Sequence, residues 1–193
     1  MKAEIVCIID RSGSMQSIVT DAIGGFNSFL EDQKKIPGEA TLTYIQFDTE
    51  YEVVHENKPI QDVNPIDSKT YVPRGGTALL DAIGKTIDTV GKRLSSTPEE
   101  NKPDKVIFVI LTDGEENSSS KYSLTKIKEK ITHQKDKYQW EFIFLAANQD
   151  AFAGAFNMGI DRKDTTAFNA TGAGIRSTYS IASDALRCYR EDK

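Results

Sequence analysis

Residues 5–14 read IVCIIDRSGS, a short apolar run that ends directly in polar residues. Five consecutive apolar side chains without alternation are typical of a strand that is covered by helices on both faces, as in a parallel sheet. Asp10, Ser12 and Ser14 follow at once, so that a carboxylate and two hydroxyls stand at alternate positions of one loop. The stretch therefore predicts a parallel sheet with a group of oxygen donors at the end of one strand.

Two later apolar runs, residues 106–111 and 142–147, have the same continuous character and predict two more buried strands. Residues 41–47 and 51–55 are rich in β-branched and aromatic side chains and are separated by a short polar turn. Such a pair is typical of a hairpin, and we expect its second strand to be an antiparallel edge strand. The sequence thus predicts a mostly parallel sheet with one antiparallel edge.

Apolar residues recur at helical spacing between and after these strands, which predicts helices on both faces of the sheet. The helical patterns lie near residues 18–30, 79–94, 124–131, 150–158 and 175–189. Alternation of strands and helices is the mark of a doubly wound α/β fold. A chain of 193 residues is long enough for one full core, so we expect residues 1–193 to form a single domain.

Oxygen donors recur at two later points of the chain. Thr77 follows the pair Gly75-Gly76, and Asp113 comes just after the apolar run 106–111. In open α/β sheets, ligands lie beyond the carboxyl ends of the strands, where the strand order reverses. If the strands 5–9 and 106–111 are neighbours there, the Asp10 and Asp113 carboxylates meet in one crevice. Carboxylates and hydroxyls without histidine or cysteine favour Mg²⁺, with Mn²⁺ or Ca²⁺ as alternatives, over zinc or copper.

Several residues beside these donors allow more than one interpretation. Arg11 could repel a metal ion or help to hold an acidic partner. Asp48 could line the crevice, although the sequence favours an ordinary turn aspartate. Asn148, Gln149 and Asp150 follow the third apolar run at the same edge of the sheet and could contact a partner or cap a helix.

The helix near residues 79–94 has its own start signals. Thr77 is expected to cap this helix as well as to donate its hydroxyl to the site. Asp81 is expected to be an exposed residue of the first helical turn, where the helix dipole favours a negative charge. Glu115 and Glu116, after the second aspartate of the site, are expected to be solvated loop residues.

Composition excludes several classes of protein. With 24 lysines and arginines against 29 aspartates and glutamates, the net charge is −5, which argues against a general nucleic-acid binder. No apolar stretch is long enough to cross a bilayer, and the predicted first strand begins too early for a signal peptide. Cys7 and Cys188 show no repeated spacing, so neither a disulfide framework nor a zinc site is expected. We expect a cytoplasmic protein in a reducing environment.

The donor pattern resembles the metal-ion-dependent adhesion site (MIDAS) of von Willebrand factor type A (vWA) domains. The matching elements are Asp10-x-Ser12-x-Ser14, Gly75-Gly76-Thr77 and Thr112-Asp113-Gly114, in that order. The resemblance covers nearly the whole chain, and residues 75–82 (GGTALLDA) are similar to intracellular bacterial members in particular. It implies a Rossmann-like fold with a divalent metal ion at the crest of the sheet, held by Asp10, Ser12, Ser14, Thr77 and Asp113.

The resemblance also implies a function, namely binding of a protein that completes the metal's coordination with a glutamate or aspartate. Intracellular relatives of this kind work beside AAA+ ATPases or in stress-response systems, so an AAA+ ATPase or a stress-response protein is the expected class of partner. The alternative is a magnesium-dependent phosphatase or phosphotransferase that uses Asp10 as its nucleophile. Phosphatases of the haloacid dehalogenase type normally carry a second aspartate two residues later, where this chain has Ser12. We therefore expect a binding module and not an enzyme.

Overall fold

The computed structural model describes residues 1–147, 149–169 and 171–191, apart from the side chains of Gln149, Asp150 and Phe152. In this part of the chain the strands are β1 (Lys2–Asp10), β2 (Glu39–Phe47), β3 (Tyr51–Pro59), β4 (Lys105–Thr112), β5 (Glu141–Ala146) and β6 (Thr165–Ala167). The α-helices are α1 (Val19–Lys35), α2 (Leu79–Ser95), α3 (Leu124–Tyr138), α4 (Gln149–Asn157) and α5 (Gly172–Glu191). A short 3₁₀ segment, Gly13–Ile18, leads from the loop after β1 into α1.

The strands form one sheet in the order β3-β2-β1-β4-β5-β6. Neighbouring strands are parallel, except that β2 and β3 form an antiparallel pair at one edge. From β1 the chain first builds outward in one direction, through β2 to β3. It then returns to the other side of β1 and builds in the opposite direction, through β4 and β5 to β6, so the strand order reverses between β1 and β4. Ile9 of β1 lies opposite Leu111 of β4, which places the carboxyl ends of both strands at the same point of the crest. The predicted fold class and its antiparallel edge strand are confirmed, and the condition that β1 and β4 are neighbours is met.

Alternate side chains of β1 pack on opposite faces of the sheet, and both faces are covered. Ile5, Cys7 and Ile9 belong to a core shared with α1 and α5, whereas Val6 and Ile8 belong to a core shared with α2 and α3. All five of these side chains are buried. This explains why the strand reads as a continuous apolar run, since a strand with two covered faces has no solvent side.

Two features of the sheet differ from the sequence prediction. Strand β3 extends to Pro59, beyond the predicted residue 55, and β6 was not predicted at all. Because β6 contains only Thr165, Thr166 and Ala167 and pairs along one side with β5, it has too few apolar residues for a periodic signal. Among the described residues, no helix combines the length and the apolar character that a membrane crossing would need.

Candidate metal centre

The first side chain of the site, Asp10, is fully buried where β1 ends. One carboxylate oxygen, Oδ1, accepts a hydrogen bond from the backbone N–H of Ser12 at 2.6 Å. The other, Oδ2, accepts from the hydroxyl of Thr112 at 2.6 Å. Thr112 is the last residue of β4, so the reversal of strand order directly supplies the donor that orients the Asp10 carboxylate.

Ser14 joins the loop after β1 to the loop after β4. Its hydroxyl donates to Oδ1 of Asp113 at 2.7 Å, although the two residues are 99 positions apart in the chain. The Ser12 and Ser14 hydroxyl oxygens lie 3.0 Å from each other. Ser12 is buried, whereas Ser14 is exposed and Asp113 half-buried. Ser14 and Asp113 are therefore more accessible to solvent, or to a partner protein, than Asp10 and Ser12.

Thr77 reaches the same place from the loop before α2. That loop is attached to the loop after β1 by two backbone hydrogen bonds, from Gly13 N to Gly75 O and from Arg74 N to Arg11 O. A Cβ atom added at Gly114 would lie 3.3 Å from the Thr77 hydroxyl oxygen and 3.6 Å from that of Ser14. The two hydroxyls thus face one small space beside Gly114, which a side chain at that position would enter.

The structure therefore brings together all five side chains that the sequence singled out, namely Asp10, Ser12, Ser14, Thr77 and Asp113. Their role as metal ligands stays a prediction. Thr77 is buried, and its hydroxyl faces the same space beside Gly114 as the hydroxyl of Ser14.

Burial also affects the two carboxylates. It raises the pKa of Asp10 to about 6, because hydrogen bonds from Thr112 and Ser12 offset only part of the desolvation and the nearby Asp113 charge opposes ionisation. The pKa of Asp113 is raised as well, again mainly by burial, with the Ser14 hydrogen bond acting in the opposite direction. Two desolvated carboxylates in one crevice favour a cation between them.

The donor set fits a hard divalent cation. It consists of oxygens alone, with two carboxylates to balance a double charge and three neutral hydroxyls. Among residues 1–147, 149–169 and 171–191, no cluster of three or more histidine, cysteine, aspartate or glutamate side chains is arranged to hold a metal. A site rich in imidazole or thiolate, as soft metals require, is thus not found in that part of the chain.

Arg11, for which the sequence left two roles open, is paired within the chain. It is buried, and its guanidinium points away from solvent into an ion pair with Asp48 and a hydrogen bond to Gln46. It also pairs with Glu52 on the edge strand β3. The Arg11 charge is thus paired with two carboxylates of the chain itself, and its burial keeps it from the surface where a partner protein would approach.

Asp48 is more than the turn aspartate that the sequence favoured. Its side chain is 1% exposed and contacts both Arg11 and Arg74. Burial alone would raise its pKa, but hydrogen bonds from the Glu50 N–H and from the two guanidinium groups keep the pKa below its usual value. The residue is therefore a buried, ionised carboxylate at the edge of the site.

The start of α2 is capped differently from the prediction. The N-cap residue is Ala78, and no side chain of the helix's own N-terminus caps it, so the expected capping role of Thr77 is wrong. Instead, the Glu116 carboxylate accepts from the Leu80 N–H at 2.8 Å and also from the N–H groups of Ser118 and Ser119. The loop after β4 thus supplies the cap, and the solvated role expected for Glu116 is wrong.

Asp81 binds the same loop in return. Its carboxylate accepts hydrogen bonds from three consecutive backbone N–H groups, those of residues 120, 121 and 122. Burial opposes ionisation here, but these bonds outweigh it and lower the pKa of Asp81. Asp81 does lie in the first turn of α2, as predicted. It is partly buried against the loop, however, and not exposed as the sequence indicated.

Sequence reasoning missed three further residues that hold the site together. Thr112 orients Asp10, the Tyr71 hydroxyl donates to the Asp10 carbonyl, and the Asn117 side chain accepts from the Thr77 N–H at 2.9 Å. Thr112 stands beside Asp113 within the recognised motif and could have been found there. Tyr71 and Asn117 carry no such local signal.

Asn148 lies outside the described residues, as do the Gln149 and Asp150 side chains. The prediction that these three residues contact a partner or cap a helix therefore stays a prediction.

No protein-family model matches the chain, and no curated protein matches its sequence. Its fold is similar to solved structures of low sequence identity. One is the vWF domain of the type V pili tip protein Mfa5 from Porphyromonas gingivalis, with a TM-score of 0.70, 9% identity and coverage of 99% of this chain and 97% of that chain. Another is the von Willebrand factor type A protein from Catenulispora acidiphila, with a TM-score of 0.63, 13% identity and coverage of 94% and 42%.

A third similar structure is proximal thread matrix protein 1 from the mussel byssus, whose MIDAS motif is occupied by zinc. The TM-score is 0.66 at 13% identity, with 96% of this chain and 46% of that chain covered. The present chain thus spans less than half the length of the mussel and Catenulispora chains. The strand order, the antiparallel edge and these superpositions agree, and the chain has the fold of von Willebrand factor type A domains.

Proposed function

We propose that this chain is a metal-dependent protein-interaction module. In this proposal a divalent cation is held by Asp10, Ser12, Ser14, Thr77 and Asp113 and accepts an acidic side chain from a partner protein. The proposal rests mainly on the hydrogen bond from Ser14 to Asp113. It joins the loop after β1 to the loop after β4, two of the three loops that supply the oxygen donors, across 99 residues of sequence. The zinc-occupied MIDAS motif of the mussel protein supports the choice of a divalent cation.

The oxygen donors favour Mg²⁺, with Mn²⁺ or Ca²⁺ as alternatives. A bound cation would supply a Lewis-acidic position for one carboxylate oxygen of the partner. The chain itself contributes two carboxylates, which balance the double charge, and three neutral hydroxyls, which leave the ion attractive to a further anion. Ser14 and Asp113 lie on the solvent side of the group, so we expect the partner to approach there.

The Asp10 environment does not suit covalent catalysis. A nucleophilic aspartate must be reached by the substrate itself, yet Asp10 is 0% exposed. A small cation needs less access, since each Asp10 oxygen accepts one hydrogen bond and keeps a second lone pair. Ser12, two residues later, has no acid–base function of the kind that a phosphatase needs. These observations support a binding role, and a phosphatase assay with and without Mg²⁺ should show no turnover.

The partner class and the cellular setting belong to the same proposal. We propose a partner with an exposed glutamate or aspartate, and we place an AAA+ ATPase or a stress-response protein first because of the motif resemblance of residues 75–82. Cys7 and Cys188 are free thiols, which supports a reducing compartment, and we propose the cytoplasm.

Thermal unfolding with increasing MgCl₂, MnCl₂ or CaCl₂ tests the metal centre. A ligand that binds only the folded state at 100 times its Kd stabilises by about 2.7 kcal/mol, which raises the Tm of a domain of this size by about 5–10 °C. Asp10→Asn should abolish this shift. Asp136→Asn, which changes an exposed aspartate of α3, should retain it. The absence of any metal-dependent shift in the unaltered protein, together with no heat of binding in calorimetry, would contradict the proposal.

A further inference from the structure

Two of the three loops that carry the predicted ligands, the loop after β1 and the loop before α2, meet at a residue that is not itself a predicted ligand, Asp48. It follows the last residue of β2, and its side chain is 1% exposed. Its Oδ2 accepts from the Nε of Arg11 at 2.9 Å and from the Nε of Arg74 at 3.0 Å. Its Oδ1 accepts from the Glu50 N–H at 2.6 Å. Both oxygens are thus engaged by N–H donors of the protein.

These partners lie directly beside the predicted ligands. Arg11 stands between Asp10 and Ser12, and Arg74 comes three residues before Thr77. The backbone carbonyl of Asp48 accepts a further hydrogen bond, from the N–H of Ala78, which follows Thr77. Asp48 therefore binds one residue of the loop after β1 and residues on both sides of Thr77, and it determines how these segments are placed relative to each other.

Asp48 also balances a buried charge beside the site. The Arg11 side chain is 6% exposed, and a guanidinium in such a place needs a paired anion. Glu52 pairs with it too, but the Glu52 side chain is 53% exposed and is screened by solvent. Without the Asp48 charge, the Arg11 cation would be incompletely balanced at the position between Asp10 and Ser12, in the loop that supplies three of the proposed ligands.

We propose that Asp48 is the positioning residue of the metal centre. It holds the loop of Ser12 and Ser14 against the loop of Thr77, and it keeps the Arg11 charge from opposing the metal. This inference rests on the proposed function, because it assigns a residue that prepares the same site for its cation.

Asp48→Asn tests the proposal, since it keeps the size of the side chain and removes its charge. Loss of a group that orients metal ligands typically weakens metal affinity by about 10- to 100-fold, and we expect a loss in this range for Mg²⁺ in isothermal titration calorimetry. Mn²⁺ binding followed by electron paramagnetic resonance gives a second measure of the same affinity.

A control must separate positioning from general stability, and the chain offers one. Glu4 is also a fully buried carboxylate that pairs with an arginine, Arg93, and accepts a hydrogen bond from a neighbouring strand at Thr43. It lies near the opposite end of β1 from the site. Glu4→Gln should lower the free energy of unfolding in EDTA and leave the Mg²⁺ Kd unchanged. Asp48→Asn should change both.

Arg74→Gln keeps the test decisive if Asp48→Asn does not fold. The Arg74 side chain is 54% exposed, so its loss should leave the fold intact while removing one of the two guanidinium contacts of Asp48. We expect a smaller but measurable loss of Mg²⁺ affinity. Wild-type affinity in Asp48→Asn, or in Arg74→Gln where the former cannot be purified, would overturn the positioning role, as would an equal loss in Glu4→Gln. If the unaltered protein itself binds no metal, the proposed function fails instead.

Discussion

At the scale of the residue, the orientation of one buried carboxylate depends on two hydrogen bonds. Asp10 accepts from the Ser12 N–H and from the Thr112 hydroxyl. The Thr112 hydroxyl also accepts from the Gly114 N–H at 3.2 Å, so that it connects the end of β1 to the loop after β4. Removal of the Thr112 hydroxyl should therefore disturb the orientation of Asp10 without deleting a predicted ligand.

We expect Thr112→Val to destabilise the protein in EDTA by about 1–3 kcal/mol, because it leaves a buried acceptor of Asp10 without its donor. Thr112→Ser retains the hydroxyl and should cost much less. Urea unfolding of both variants measures the difference. Equal stability of Thr112→Val and Thr112→Ser would show that this hydrogen bond does not support the fold.

Asp48 gives a prediction about pH. Its folded-state pKa is lowered, so the unfolded chain binds a proton more readily than the folded one, and its contribution to stability is lost as the pH falls through the folded-state pKa. The stability difference between the unaltered protein and Asp48→Asn should be constant above the ordinary pKa of 3.8 and shrink below it. Urea unfolding between about pH 6 and about pH 3 measures this difference, with exposed Asp136→Asn as the control. A difference that does not shrink in acid would count against an ionised, paired Asp48.

The five residues predicted as ligands could be singled out from sequence because they stand in short local motifs, most of them directly after recognisable strands. The residues that support them could not. Tyr71 contacts the Asp10 carbonyl from 61 positions away, and Asn117 contacts the Thr77 N–H from 40 positions away. Such contacts depend on how loops pack in three dimensions, which no local pattern contains. Arg11 shows the same limit, since its charge could be seen but its burial against Asp48 could not.

At the scale of the element, helix α2 and the loop after β4 stabilise each other. Glu116 caps the first turn of α2 from that loop, and Asp81 of the helix binds the loop's N–H groups. The N–H groups at a helix start need acceptors, and here a distant segment supplies one. The loop that follows Asp113 is thereby fixed to the helix that follows Thr77.

We expect Glu116→Ala to lower the free energy of unfolding by about 1 kcal/mol, the usual cost of losing a helix cap. It should also accelerate hydrogen exchange at the Leu80 N–H. The neighbouring Glu115 is exposed, so Glu115→Ala is a matched control that should change neither quantity. Unchanged exchange at Leu80 in Glu116→Ala would contradict the capping role.

Two glycines of α2 differ in what surrounds them. A Cβ at Gly84 would lie 2.4 Å from the Tyr122 ring, whereas at Gly91 the nearest atoms are 3.8 Å away or more. We expect Gly84→Ala to destabilise by about 1–3 kcal/mol through overpacking. Gly91→Ala should stabilise by about 0.5–1 kcal/mol through helix propensity. Thermal unfolding of the two variants compares them, and a stabilising Gly84→Ala would disprove the close packing of Tyr122 on this helix.

At the scale of the whole molecule, the sheet places the site. The strand order reverses between β1 and β4, and Asp10 and Thr112 end those two strands. The parallel sheet could be predicted from the continuous apolar runs, which arise because both faces of the sheet are covered. From sequence, the adjacency of β1 and β4 was only a condition, and the structure shows that the two strands pair. The short strand β6 did not, because three residues carry no periodic signal and its pairing with β5 is a tertiary event.

Anomalous diffraction from a crystal grown with saturating Mn²⁺ shows whether a divalent cation binds among the five oxygen donors, because it locates the ion itself. We expect one strong peak in the crevice between the loops after β1 and β4 and the loop before α2, within direct or water-bridged reach of Asp10, Ser12, Ser14, Thr77 and Asp113. Crystals in which Mn²⁺ binds elsewhere, or leaves that crevice without a peak at saturating concentration, would contradict it.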